Sequence, residues 1–73
     1  MDTKKLEALA AAVEHGSFTR AAEALGYSQS AVSQTVKALE EELGTALVSR
    51  GKGGVMLTAD GESYLPYLRA ICG

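Results

Sequence analysis

Apolar residues recur along this chain at helical spacing for its first 43 positions and then change rhythm. Leu6, Leu9, Ala10 and Val13 follow the i, i+3, i+4, i+7 pattern of one buried stripe. They predict a first helix over residues 3–15, capped by Asp2 or Thr3 and stopped at Gly16. Ser17 then caps a short second helix, Phe18 to Leu25, with Ala21, Ala22 and Leu25 facing inward. Gly26-Tyr27 makes a tight turn. A third helix runs from its cap, Ser28, to Gly44, a residue suited to the left-handed conformation after a last turn. Val32, Val36, Leu39 and Leu43 form its apolar side, flanked by Ala31, Thr35 and Ala38. Beyond Gly44 the texture becomes β-prone: Ala46 to Ser49, a glycine-rich turn Arg50-Gly51-Lys52-Gly53-Gly54, then Val55 to Leu57. Such a hairpin is marginal alone and must pack on the helices. Thr58 caps a fourth helix with an apolar stripe of Tyr64, Leu65, Leu68 and Ile71, in which Pro66 is expected to make a kink.

The pattern predicts a mostly α domain: a three-helix bundle, a two-stranded hairpin and the start of a C-terminal helix. Helix, short turn with glycine, helix is a helix-turn-helix layout, and the hairpin would be its wing. The length of 73 residues limits the chain to one domain with a small core. With only four aromatics, Phe18, Tyr27, Tyr64 and Tyr67, a β-sandwich is disfavoured.

The polar side of the third helix carries the candidate chemistry. Gln29, Ser30, Ser33, Gln34 and Lys37 share an arc of about 140° at 100° per residue. A face meant only for water is rich in Glu and Lys. This one offers short groups that both donate and accept hydrogen bonds, which suits base edges in a DNA major groove. Glu40-Glu41-Glu42 follows two turns later, and we expect it to limit how far the helix enters a groove.

The net charge of −2 argues against nucleic acid when taken alone. Its distribution changes that picture. Between Ser17 and Lys37 the charges are Arg20, Glu23 and Lys37, and between Thr45 and Thr58 they are Arg50 and Lys52 with no acid. One face of an acidic molecule can therefore be mildly basic. Arg20 could equally pair with Glu14 or Glu23, whereas Lys52 has no acid near it in sequence. Enzyme chemistry has little support: no nucleophile–base pair, phosphate cradle or metal-ligand cluster stands out, and no cofactor is expected. The turn at Lys52 lacks the first glycine and the Ser or Thr of a nucleotide-binding loop. His15 reads as a helix C-terminal dipole partner. The lone cysteine, Cys72, excludes an internal disulfide. No apolar run approaches the ~20 residues that span a bilayer, and the N-terminal stretch is no signal peptide, so a cytoplasmic protein is expected.

Several blocks, in order and at matching spacing, make the chain resemble the N-terminal DNA-binding domain of LysR-type transcriptional regulators. They are Gly16 to Leu25 for the second helix, Ser28 to Ser33 and Leu39 to Gly44 for the two ends of the third, Leu47 to Arg50 for the wing, and Leu57 to Glu62 for the start of the linker helix. The resemblance implies a winged helix-turn-helix over 1–58 and a linker or dimerisation helix from 59 to 73. It implies base reading by Gln29, Ser30, Ser33 and Gln34, and phosphate contacts from Arg20, Ser28, Lys37, Arg50 and Lys52. It also implies dimerisation through Tyr64, Leu65, Leu68 and Ile71 on an inverted repeat of double-stranded DNA. A small-molecule effector would act only through a further domain that these residues do not contain, which makes the chain a fragment or a natural short form. Three positions depart from the common pattern. Ser30 replaces a frequent proline, Gln34 a frequent arginine, and Val48 the usual phenylalanine. The alternative is a module that keeps the winged fold to bind itself or a protein partner without reading DNA.

Overall fold

A computed structural model of the chain describes residues 3–51 and 54–72, with the side chains of residues 68, 69, 71 and 72 outside that description. The described elements are α1 (Thr3–His15), α2 (Phe18–Leu25), α3 (Gln29–Leu43), β1 (Val48–Gly51), β2 (Gly54–Leu57) and α4 (Ala59–Cys72). This is a winged helix-turn-helix.

The helix boundaries follow from local chemistry. Ser17 Oγ accepts from Arg20 N at 3.3 Å and Ser28 Oγ accepts from Ala31 N at 3.2 Å, so each serine satisfies an orphan amide of the first turn it opens. α3 stops where Gly44 takes φ +71° and its amide donates back to the Glu40 carbonyl. His15 occupies the last turn of α1. Leu6, Leu9 and Ala12 of α1, Phe18, Ala21 and Ala22 of α2, and Val32, Val36 and Leu39 of α3 make one core. Ala8, Ala11 and Ala12 of α1 and Ala21 and Ala22 of α2, almost fully buried, let the three helix axes approach closely.

The hairpin is antiparallel, with Val48 opposite Leu57 and Gly51 opposite Gly54. Its first strand begins two residues later than the sequence pattern suggests, because Leu47 is drawn out of the ladder. That side chain is fully buried in the core. Its amide donates to Glu40 Oε2 at 2.7 Å, and its carbonyl accepts from Thr58 N at 3.0 Å. Leu47, helped by the buried Val55, is thus the wing's anchor, and Val48 is only half-buried. Val55 N also donates to the Gly16 carbonyl at 2.9 Å, tying the second strand to the end of α1.

Thr58 opens α4 as expected: its Oγ1 accepts from Gly61 N at 2.9 Å while donating to the Ala46 carbonyl at 2.7 Å. The helix then continues through Pro66. Its apolar stripe is not wholly free. Tyr64 and Leu65 are half-buried and pack against the domain's own core. Leu68 and Ile71 have side chains outside the described residues. Tyr67, on the same helix, is 70% exposed. Gly61 is buried with its Cα against the Leu47 carbonyl, so an added Cβ there would collide with that oxygen.

Candidate nucleic-acid interface

α3 lies with its apolar side in the core and its polar side outward. Ser28, Gln29, Ser30, Gln34 and Lys37 are all exposed, which places most of the sequence-derived reader on one open surface. Ser28 Oγ and Ser30 Oγ stand 3.4 Å apart, and either hydroxyl can donate to the other. Serine at position 30 therefore fits the first turn without disturbing the cap. Thr35 is turned off this face: its Oγ1 donates to the Ala31 carbonyl at 2.7 Å. Gln34 also lines a shallow open groove with Lys4, Lys5, Ala31, Thr35 and Ala38, between α3 and the start of α1.

The wing flanks the opposite side of α3. Arg50, exposed on β1, reaches back across the seam. Its Nη2 donates to Ser33 Oγ at 2.8 Å, and its guanidinium carbon stands 4.6 Å from the centroid of the Phe18 ring. Ser33 is accordingly half-buried, unlike the rest of the reader. Arg50, read from the sequence as a phosphate contact, thus also joins wing, α2 and α3. A cation over an aromatic face is attracted by the ring quadrupole. Arg20 and Lys37 are exposed and make no ion pair among the described residues, so neither Glu14 nor Glu23 holds Arg20. Lys52 lies outside the described residues.

The acidic run does not act as a unit. Glu40 Oε2 accepts from both Leu47 N, at 2.7 Å, and Val48 N, at 3.1 Å, and so fixes the start of the wing on α3. Glu42 pairs with Lys5 at 3.4 Å. Glu41 and Glu42 both stay exposed, so the groove-depth expectation is corrected for Glu40 alone, whose carboxylate is turned to the wing. The sequence held one clue to Glu40. It lies seven residues after Ser33, and at 100° per residue the two stand about 20° apart on the same side of the helix. Phe18 and Glu40 are the contributors to the interface's geometry that motif reading passed over.

Among the described residues no group of three or more His, Cys, Asp and Glu side chains could hold a metal ion, and no helix is long and apolar enough to cross a membrane.

Comparison with known proteins follows the same lines. Among curated proteins, the chain is 54% identical over 63 residues to the HTH-type transcriptional activator AmpR of Citrobacter freundii, covering 86% of this chain and 22% of that protein. It is 49% identical over 72 residues to a probable nitrogen assimilation transcriptional activator of Synechococcus elongatus, covering 99% of this chain and 23% of that protein. The chain therefore spans under a quarter of the length of these relatives. Among solved structures, the CbnR DBD–DNA complex superposes with a TM-score of 0.88 at 35% identity, over 97% of this chain and 82% of that one. The BenM DBD complex with benA site 1 DNA gives 0.87 at 37% identity, over 97% and 80%. The model for the bacterial regulatory helix-turn-helix proteins of the lysR family matches residues 3–62. With most of its length inside that match and the winged fold to go with it, this chain belongs to the lysR family.

Proposed function

We propose that the chain is the sequence-specific, double-stranded-DNA-binding module of a cytoplasmic transcription regulator. α3 enters the major groove, where Gln29, Ser30, Ser33 and Gln34 read base edges. Ser28, Arg20 and Lys37 position the helix on phosphates, and the wing brings Arg50 and Lys52 to the backbone or minor groove. Residues 1–58 carry this activity, and 59–73 begin a helix that pairs two copies on an inverted repeat. The observation that carries the reading is the open polar face of α3 with the wing fastened beside it by the Arg50–Ser33 bond. The CbnR and BenM domains of like fold are solved on DNA, which supports it.

Binding to promoter fragments at several salt concentrations tests the proposal. Lys52→Ala should weaken all sequences alike and lower the log–log salt slope by about 1. Gln34→Ala should instead flatten discrimination between sequences, by about 1–3 kcal/mol at the base pair concerned. If neither change alters binding, the face is wrongly assigned.

A second reading, a self-association or protein-partner module, draws on the net charge of −2 and on Tyr67, 70% exposed on α4. Sedimentation separates the two. A stable dimer whose mobility does not shift with DNA even at low salt would favour the second.

A further inference from the structure

Arg50 and Ser33 meet across the seam between β1 and α3, and the chemistry of the pair is one-sided. A guanidinium carries N–H donors and no acceptor, whereas a serine hydroxyl has two lone pairs and one proton. Arg50 Nη2, 2.8 Å away, therefore occupies a lone pair of Ser33 Oγ, and the proton of Ser33 points elsewhere. A helical serine or threonine often returns its proton to the carbonyl four residues earlier, as Thr35 does to Ala31 at 2.7 Å. Ser33 makes no such bond; Arg50 is its one side-chain hydrogen-bond partner among the described residues. The guanidinium is itself held from another side by the Phe18 ring, which is buried and so cannot swing away.

We infer that Arg50 sets the polarity of Ser33, making it a hydrogen-bond donor directed at an acceptor on a DNA base: a purine N7, a guanine O6 or a thymine O4. The inference rests on the DNA reading above and deepens it. Ser33 still has a second lone pair, but the cation beside it repels the partly positive hydrogens of an adenine or cytosine amino group. Arg50 is thus a positioning residue that acts on specificity through Ser33. Its other N–H groups stay available to a phosphate, so one side chain serves both the backbone contact and the base contact.

The test begins with selection of a tight duplex from a random-sequence pool by the 73-residue chain. In that duplex each purine N7, guanine O6 and thymine O4 is removed in turn by a base analogue, and so is each adenine and cytosine amino group. Wild type, Ser33→Ala, Arg50→Ala and Arg50→Lys are compared at one salt concentration, after circular dichroism has established that each is folded. One acceptor deletion should weaken wild type about fivefold, the worth of a single hydrogen bond, and should have no further effect on Ser33→Ala. Arg50→Ala should lose sensitivity at that same position while keeping it at positions read by Gln29 and Gln34. Arg50→Lys keeps the charge without the planar stack on Phe18 and should fall between. The inference is overturned if the Ser33-dependent group is an amino donor, if no group depends on Ser33, or if Arg50→Ala keeps full sensitivity there. Failure of wild type to select any sequence would instead overturn the DNA reading, and this inference with it.

Discussion

Replacing Glu40 tests most directly how the wing is held to the reader. One carboxylate oxygen accepts two backbone amides, Leu47 N at 2.7 Å and Val48 N at 3.1 Å. Glu40→Ala strands both. Leu47 is fully buried, so water cannot readily take over its amide, and an orphaned buried donor costs about 1–3 kcal/mol. Val48 is half-buried, so its amide can be partly hydrated and adds less. The expected loss is about 2–4 kcal/mol, a large share of the ~4–11 kcal/mol that a chain this short commonly has. Glu40→Gln keeps an acceptor oxygen with the same reach and gives up only the charge assistance, so about 1 kcal/mol should go. Urea unfolding followed by circular dichroism measures both, with Glu41→Ala as the comparison, because Glu41 is exposed and should stay within about 0.5 kcal/mol of wild type. If Glu40→Ala is as stable as Glu41→Ala, the two hydrogen bonds do not hold the wing and the reasoning fails.

Other changes follow from the same geometry. Gly61→Ala drives a methyl into the Leu47 carbonyl and to 2.9 Å from Leu57 Cδ2. It should cost about 1–3 kcal/mol, seen as a lower melting temperature in calorimetry, and an unchanged melting curve would contradict the packing described. Gly44→Ala meets nothing within 4 Å, so its cost is that of the left-handed backbone alone, about 1–2 kcal/mol. Gly44→Asn, which tolerates that conformation, should recover much of it in the same urea titration. Ser28→Ala removes a cap worth about 1 kcal/mol, whereas Ser28→Asp keeps the cap but sets a negative charge where we propose a phosphate. The Asp variant should be as stable as wild type and bind DNA more weakly; equal binding would remove Ser28 from the interface.

The caps of α2 and α3, the turn glycines and most of the helical stripes were legible because each is a local signal, carried within three or four residues. In α1, however, Ala8, Ala11 and Ala12 are buried where the stripe placed Ala10 and Val13, which are half-buried. Ser17, Ser28 and Gly44 each act on their own helix end, and the chain around them decides the outcome. What the pattern could not give was tertiary partnership. Leu47 reads as a strand residue, yet the core and Glu40 together remove it from the ladder and shift β1 to Val48–Gly51. Glu40 reads as one of three equivalent acids, and only its place beside the wing separates it from Glu41. Tyr64 and Leu65 continue a stripe that looks unpartnered, and they prove half-buried because the first turns of α4 lie against the bundle. Arg50 was recognisable as a wing cation, but its bond to Ser33 spans 17 residues and could not be read from spacing.

The peptide unit around Leu47 also decides how the module would carry load. On its amide side it is bonded to Glu40 of α3, and on its carbonyl side it accepts Thr58 N and abuts Gly61 at the start of α4. A pull or twist on α4 is therefore delivered to the base of the wing and from there to α3, as well as to the core through Tyr64 and Leu65. The root of the wing thus couples α4 mechanically to α3, whose polar face we propose meets DNA. Amide exchange should show it: Leu47 and Thr58 should open together, and both should exchange faster in Gly61→Ala while the amide of Leu39 stays protected.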